Sequence, residues 1–420
     1  MNAVRALPTR SRRTNVVRSW AAAAAVALLA AACTGDGETA APTTSASPTT
    51  TTTIQREDDG ALAIGVYLPV TGVGSELGQP MIAAVEDAID LINQSGGVLD
   101  SPVTAVAADE GAGTGPGELL AANVDAIVGP ASSLTALSQL GPAVDPVTGV
   151  VVCSPSATAL ALDDYPDNAF LFRTAPSDSM LMAAIARQAQ RTGARSVAVG
   201  YLDDPYGRGL NDAFRAEIEA RGIPVLKEVG FSGDQPDLSS LADELLSVDP
   251  GVIIVLGDSD DGGRLLAALD ASDATSPLVI VNDAIRGARQ TIQSLSPEFR
   301  DRLTGVAALA RGGDDAPEGF FAAHAVDCVN LIALSVVVAG SDSPRAFRTN
   351  MASVSADGSP CDTFETCSLL LEQGLDIDYD GASGSVALAN TTGDPVQARF
   401  ESFGFDTDGA EVRAFEFDVP

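Results

Sequence analysis

Basic and ring-nitrogen side chains are scarce in this chain: its 420 residues hold one histidine, His324, one tryptophan, Trp20, and one lysine, Lys227. Lysine and arginine together number 24 against 57 acidic residues, a formal net charge of −33, so a nucleic acid would meet no basic face. With one histidine and no CxxC spacing, a zinc site of ordinary composition is not expected. The same scarcity removes the usual catalytic sets. Ser259, in GDSD, would need a histidine base, and the sole histidine sits mid-helix in a distant part of the chain. No GxxxxGK[ST] loop occurs, and GVGSELG, with Gly72, Gly74 and Gly78, reads GxGxxxG instead of the dinucleotide GxGxxG. The chain is therefore not expected to be an enzyme or to use a metal or other cofactor.

At the N-terminus, Arg5, Arg10, Arg12, Arg13 and Arg18 precede an apolar run from Trp20 to Ala32 that is too short for a permanent bilayer span. Residues 1–32 read as a secretory signal. Ala30, Ala31 and Ala32 lie directly before Cys33 and resemble a bacterial lipobox, the site at which a cysteine is lipidated and becomes the mature N-terminus. The other reading is a plain cleaved signal. Residues 33–60, centred on TTSASPTTTTT, cannot bury enough apolar surface to fold and read as a tether. Such a chain is expected outside the cytoplasm, held to the outer face of the cell membrane by its lipid. No second apolar stretch of 18 residues is expected after the signal.

Four further cysteines enter that oxidising compartment, where pairing is the default. Cys361 and Cys367 are near neighbours and close a small loop; Cys153 and Cys328 then either pair with each other or stay as two buried thiols. Between residue 61 and residue 283, short β-branched runs alternate with stretches of helical period. LAIGVYL, VTAVAAD, DAIVGP and GVVVC make one mostly parallel sheet; SVAVGYL, PVLKEVGF, GVIIVLG and PLVIVND make a second. The fold expected is α/β, with two Rossmann-like lobes joined by a multi-crossing hinge. Residues 61–175 and 312–390 form the N-terminal lobe, and residues 176–311 and 391–420 the C-terminal lobe. Helices are expected at 316–339, 343–355 and 363–373, with no third sheet, and SGSVALA, QARFESFGF and EVRAFEF as closing strands.

The blocks IGVYLPVTGVGSELGQPMIAAVEDAIDLINQSGGV, VDAIVGPASSLTAL, VVVCSPSATALAL, FRTAPSDSMLMAAIA, DDPYGRGLNDAFRAEIEARG and IDYDGASGSV are similar to those of type I periplasmic binding proteins of the branched-chain amino acid and amide class. The resemblance runs from about residue 61 to the C-terminus. It implies a monomeric substrate-binding lipoprotein that captures an amino acid or amide between its lobes and delivers it to the permease of an ABC transporter. A ligand sensor that signals to a partner protein is the alternative. Carried onto these residues, it implies that Ser132 and Ser133, in GPASSLT, and Ser156 and Thr158, in SPSAT, hold the carboxylate and amino groups. Tyr206, in DDPYGRG, would cover the ligand, and Asp283, in VIVNDAIRG, would pair with its ammonium. Each Ser or Thr, and Asp283, reads otherwise as a helix cap. Two departures stand out: GDSDDG (257–262) replaces an aromatic residue common in the pocket, and Leu77 replaces a ring. Asp258 or Ser259 would then favour a smaller or more polar ligand than a branched-chain amino acid.

Overall fold

Strands buried on both faces need no alternation, and the apolar runs of this chain behave accordingly. The computed structural model describes residues 58–72, 74–272, 274–309, 317 and 319–419; the signal, Cys33 and most of the tether lie outside these. Five strands, β1 (Ala63–Leu68), β2 (Thr104–Asp109), β3 (Ala126–Val128), β4 (Val151–Ser154) and β5 (Leu171–Arg173), form one parallel sheet in the order β2-β1-β3-β4-β5. The next five, β6 (Val197–Leu202), β7 (Val225–Phe231), β8 (Val252–Leu256), β9 (Leu278–Val281) and β10 (Leu303–Ala308), start a second sheet. Two later strands, β14 (Ala398–Phe405) and β15 (Glu411–Val419), join it as an antiparallel edge, giving β15-β14-β10-β9-β8-β6-β7.

Between these come β11 (Ser359–Cys361), β12 (Ile377–Gly381) and β13 (Gly384–Ser385), a small third sheet that the sequence reading did not expect. Its strands are too short to show a period. SGSVALA is a strand only over Gly384–Ser385, and the expected helix 343–355 is a short helix, Pro344–Phe347, followed by one 3-10 turn, Arg348–Asn350.

Helices cover both sheets. In α1 (Ser75–Gln94), Met81, Val85, Ala88, Ile89 and Ile92 form the buried stripe that their spacing dictates. Short α2 (Gly117–Ala121) and α3 (Ser133–Gln139) complete the first half, and α4 (Asp178–Arg191), α5 (Pro205–Ala220), α6 (Ser239–Leu246) and α7 (Ser259–Asp270) flank the second sheet. After α8 (Arg289–Ser294) and α9 (Pro297–Arg300), α10 (Ala322–Ala339) returns to the first sheet and packs against α1. It is long and apolar enough to cross a membrane by length and composition, contrary to the expectation that no second such stretch exists. Yet 78% of it is buried within the fold, which is how a core helix satisfies a largely apolar surface.

Both cysteine pairs are disulfides: Cys153–Cys328 ties the end of β4 to α10 with Cα atoms 5.5 Å apart, and Cys361–Cys367 closes the small loop. One core gathers Ile64, Val128, Val152, Cys328 and Tyr379 around the first sheet. Two others lie on opposite faces of the second, one with Phe231 and Phe403, the other with Phe214 and Phe400. The chain passes between the sheets after β5, after β10 and before β14.

Candidate functional site

The carboxyl ends of parallel strands leave helix starts and loops facing a common opening. Here a cleft of about 620 Å3 runs between the two sheets' halves, and Ser156, Thr158, Tyr206 and Asp283 all line it. Tyr206 is the second residue of α5, whose start is fixed by Pro205 and by Asp204, the cap that accepts the Gly207 N–H at 2.7 Å. A Cβ on Gly207 would stand 2.1 Å from the Leu202 carbonyl oxygen, so glycine is what allows α5 to leave β6 so tightly and present the tyrosine. Asp283 follows β9 directly and accepts the Ala284 N–H at 2.9 Å. Behind it, fully buried Asn282 exchanges two hydrogen bonds with the Gly257 backbone, locking the base of this loop.

A third acid joins them that sequence reading passed over. Asp178, the first residue of α4, is 3% exposed and lines the same cleft. One of its oxygens, Oδ2, has no hydrogen-bond partner. Burial, and then the Asp283 carboxylate, push its pKa up to about 8. Burial raises Asp283 as well, and the Tyr206 phenol is pushed far up by burial and by both acids. Two carboxylates that resist ionising together, one with an open lone pair, define a place for a cationic N–H donor. As a first-turn acid, Asp178 looks like an ordinary helix-dipole partner, which hid it; only the fold brings it beside Asp283.

The first-lobe wall is different. Ser156 Oγ donates to the Ala131 carbonyl at 3.0 Å, while Thr158 hydrogen-bonds Asp178 through its side chain and accepts the Asp178 N–H on its carbonyl at 2.8 Å. Ser132 and Ser133 are not among the residues that line the cleft. The Ala131 and Ser132 backbone N–H groups both donate to the buried Glu110 carboxylate, at 2.7 and 2.9 Å. Ser132 Oγ caps α3 by accepting the Thr135 N–H, and Ser133 Oγ accepts the Ala159 N–H at 3.1 Å. Glu110 could not be found from sequence, because its partners lie 21 and 22 residues away in a loop-to-loop contact. Asp258 caps α7 by accepting the Asp261 N–H, and neither it nor Ser259 lines the cleft. Leu77 does, together with Phe320 and Phe321, so rings are supplied from the start of α10 in place of the missing one.

These features decide the architecture, and sequence comparison agrees: the family model described as Periplasmic binding protein matches residues 61–367. This chain belongs to that family. Among curated relatives of this binding protein, the Leu/Ile/Val-binding protein BraC3 of Rhizobium johnstonii is 26% identical over 300 residues, 67% of this chain and 80% of the relative. Of solved structures, an ABC transporter substrate-binding protein from Desulfitobacterium hafniense in complex with Leu superposes with a TM-score of 0.64 at 20% identity. The match covers 84% of this chain and 100% of that one. A solute-binding protein from R. palustris in complex with benzoate gives 0.58 at 15% identity, over 84% and 95%. The fold is thus that of type I periplasmic binding proteins, a fold whose solved members hold both an amino acid and an aromatic acid.

The binding protein's only histidine forms part of the cleft wall near the crossings. His324 Nδ1 donates to the Thr174 carbonyl at 3.1 Å, and Thr174 Oγ1 returns a bond to the His324 carbonyl at 2.9 Å. Burial pulls its pKa down to about 4, so the imidazole is neutral at ordinary pH and contributes shape and polarity without charge.

Proposed function

We propose that this chain is an extracytoplasmic solute-binding lipoprotein that captures a small amino-bearing ligand, an amino acid or amide, and delivers it to an ABC importer. The observation that carries the reading is the Asp178–Asp283 pair beside Tyr206, with a buried, unpartnered carboxylate oxygen on Asp178, a residue of the cleft lining. A primary ammonium offers three donors and one positive charge, and it relieves the repulsion of the two acids on entering. Thr158 and Ser156 orient the ligand from the first lobe, and Tyr206 covers it as the lobes, residues 61–175 with 312–390 and 176–311 with 391–420, close. Binding energy is then expressed as a shift from open to closed, which a permease reads as a signal to accept cargo. What the relatives bind supports the amino-acid class. Lipidation of Cys33 and the tether of residues 33–60 would keep the captured solute near the importer.

Calorimetry of the mature chain against the twenty amino acids, short amides and simple carboxylates tests this. Binding confined to compounds with an amino or amide nitrogen is expected; tight binding of simple carboxylates alone would remove the ammonium reading. Incorporation of labelled palmitate, abolished by Cys33→Ala, checks the anchor.

A further inference from the structure

Arg173, the last residue of β5, is the largest side chain with no solvent exposure among the described residues, and it lies outside the cleft lining. Its guanidinium divides its donors among separate segments. Nε donates to Asp394 Oδ1 at 2.6 Å, Nη2 to Asp163 Oδ1 at 2.6 Å, and Nη1 to the carbonyls of Ala157 and Ala159, each at 3.3 Å. The Arg173 backbone N–H donates to the Gly393 carbonyl at 2.9 Å. Asp163 is held in turn by Ser177 Oγ at 2.6 Å, in the crossing that follows β5.

The two carbonyls on Nη1 flank Thr158, and the Thr158 carbonyl accepts the Asp178 N–H. One planar fork therefore fixes the loop that carries Ser156 and Thr158, while Asp163 and Asp394 tie that fork to the first and third passages between lobes. A buried arginine between two partly exposed carboxylates is poorly explained as a stability device, because desolvating the guanidinium offsets much of their attraction. It is well explained as a device of geometry, since only a guanidinium satisfies four acceptors in fixed directions.

We propose that Arg173 is a positioning residue that makes the 156–159 ligand loop and two of the three crossings one rigid unit, so that the Thr158–Asp178 contact across the lobe boundary is kept as the hinge closes. This deepens the capture reading and rests on it for the ligand arm of the test. The chain is compared with its Asp394→Asn and Arg173→Lys variants. Ligand-free hydrogen exchange is followed over residues 155–162 and over β3, and calorimetry uses L-leucine as the probe. Both variants are expected to fold, with exchange over 155–162 faster by about tenfold and β3 unchanged. L-leucine affinity is expected to fall by about tenfold in Asp394→Asn and by less in Arg173→Lys, which keeps the charge but not the fork. Unchanged exchange over 155–162 in both variants overturns the proposal, and so does faster exchange with unchanged affinity. If the parent chain takes no L-leucine, it is only the choice of probe that falls, the amino acid or amide that the calorimetric panel identifies replaces it, and the exchange arm decides the tie.

Discussion

The two walls of the cleft are built on opposite plans. The first lobe is cross-linked by both disulfides, carries the largely apolar α10 through its core, and lines the cleft with neutral groups, Ser156, Thr158 and His324. The second has no cysteine at all, is completed by a hairpin from a remote part of the chain, and brings charge: Asp283 and Arg286, with Glu401 and Arg413 further along. Rigidity and charge are thus divided between the halves. A wall of neutral donors can hold a ligand's shape without attracting the wrong ion, while a charged wall facing it would supply selection.

The largest expected effect tests the rigidity half. Cys153 and Cys328 lie 175 residues apart, so removing their bond by a double Cys→Ala change is expected to cost the first lobe about 5 kcal/mol on the chain-entropy account. The six-residue separation of Cys361 and Cys367 predicts about 2 kcal/mol. Denaturant unfolding with lobe-resolved hydrogen exchange reads both. Equal loss of protection in β8 and β3 would show that the lobes are not stabilised separately, and the comparison would break.

Next comes the charged wall. Asp178→Asn or Asp283→Asn leaves an ammonium with half its counter-charge in a buried site, and affinity for an amino-bearing ligand should drop by about 3 kcal/mol, more than a hundredfold. A Thr158→Val change that costs as much would mean that the neutral wall selects too. Calorimetry with the same ligand on all three variants ranks them.

pH sharpens the same point. With Asp178 titrating at about 8 in the free protein, ligand affinity should rise with pH up to that value, by at most about tenfold per unit, with a proton released on binding near neutrality. Ligand-free stability must run the other way. The folded state holds a proton that the unfolded carboxyl, at 3.8, gives up, so stability falls as pH climbs from about 4 to about 8. Asp178→Asn should flatten that slope; an unchanged slope would assign it to another group. Smallest is Tyr206→Phe, expected to weaken binding by about 1 kcal/mol if the phenol hydroxyl bonds the ligand and to leave it unchanged if the ring only covers it.

Most of the architecture was legible because parallel strands buried on both faces print themselves as apolar runs. LAIGVYL became Ala63–Leu68 and GVIIVLG became Val252–Leu256 with little shift. Where the chain uses short pieces held by tertiary contacts, as over residues 343–385, local pattern carried too little information to separate helix, 3-10 turn and strand. The site divides in the same way. Tyr206 and Asp283 come within four residues of strand ends, so their place on the cleft follows from topology. Glu110 and Arg173 act through partners 10 to more than 200 residues away, a relation no local spacing encodes.

β14 sits between β10 and β15, and Phe400 and Phe403 of β14 fill opposite faces of the second sheet. A chain exported through a narrow channel N-terminus first would emerge with its first sheet able to assemble early. Its second sheet would keep an unpaired edge on β10 until residues 398–405 arrive. The charged wall would be the last part of the molecule to harden, and shielding that unfinished edge during export is the task this order of assembly sets for the cell's folding assistants.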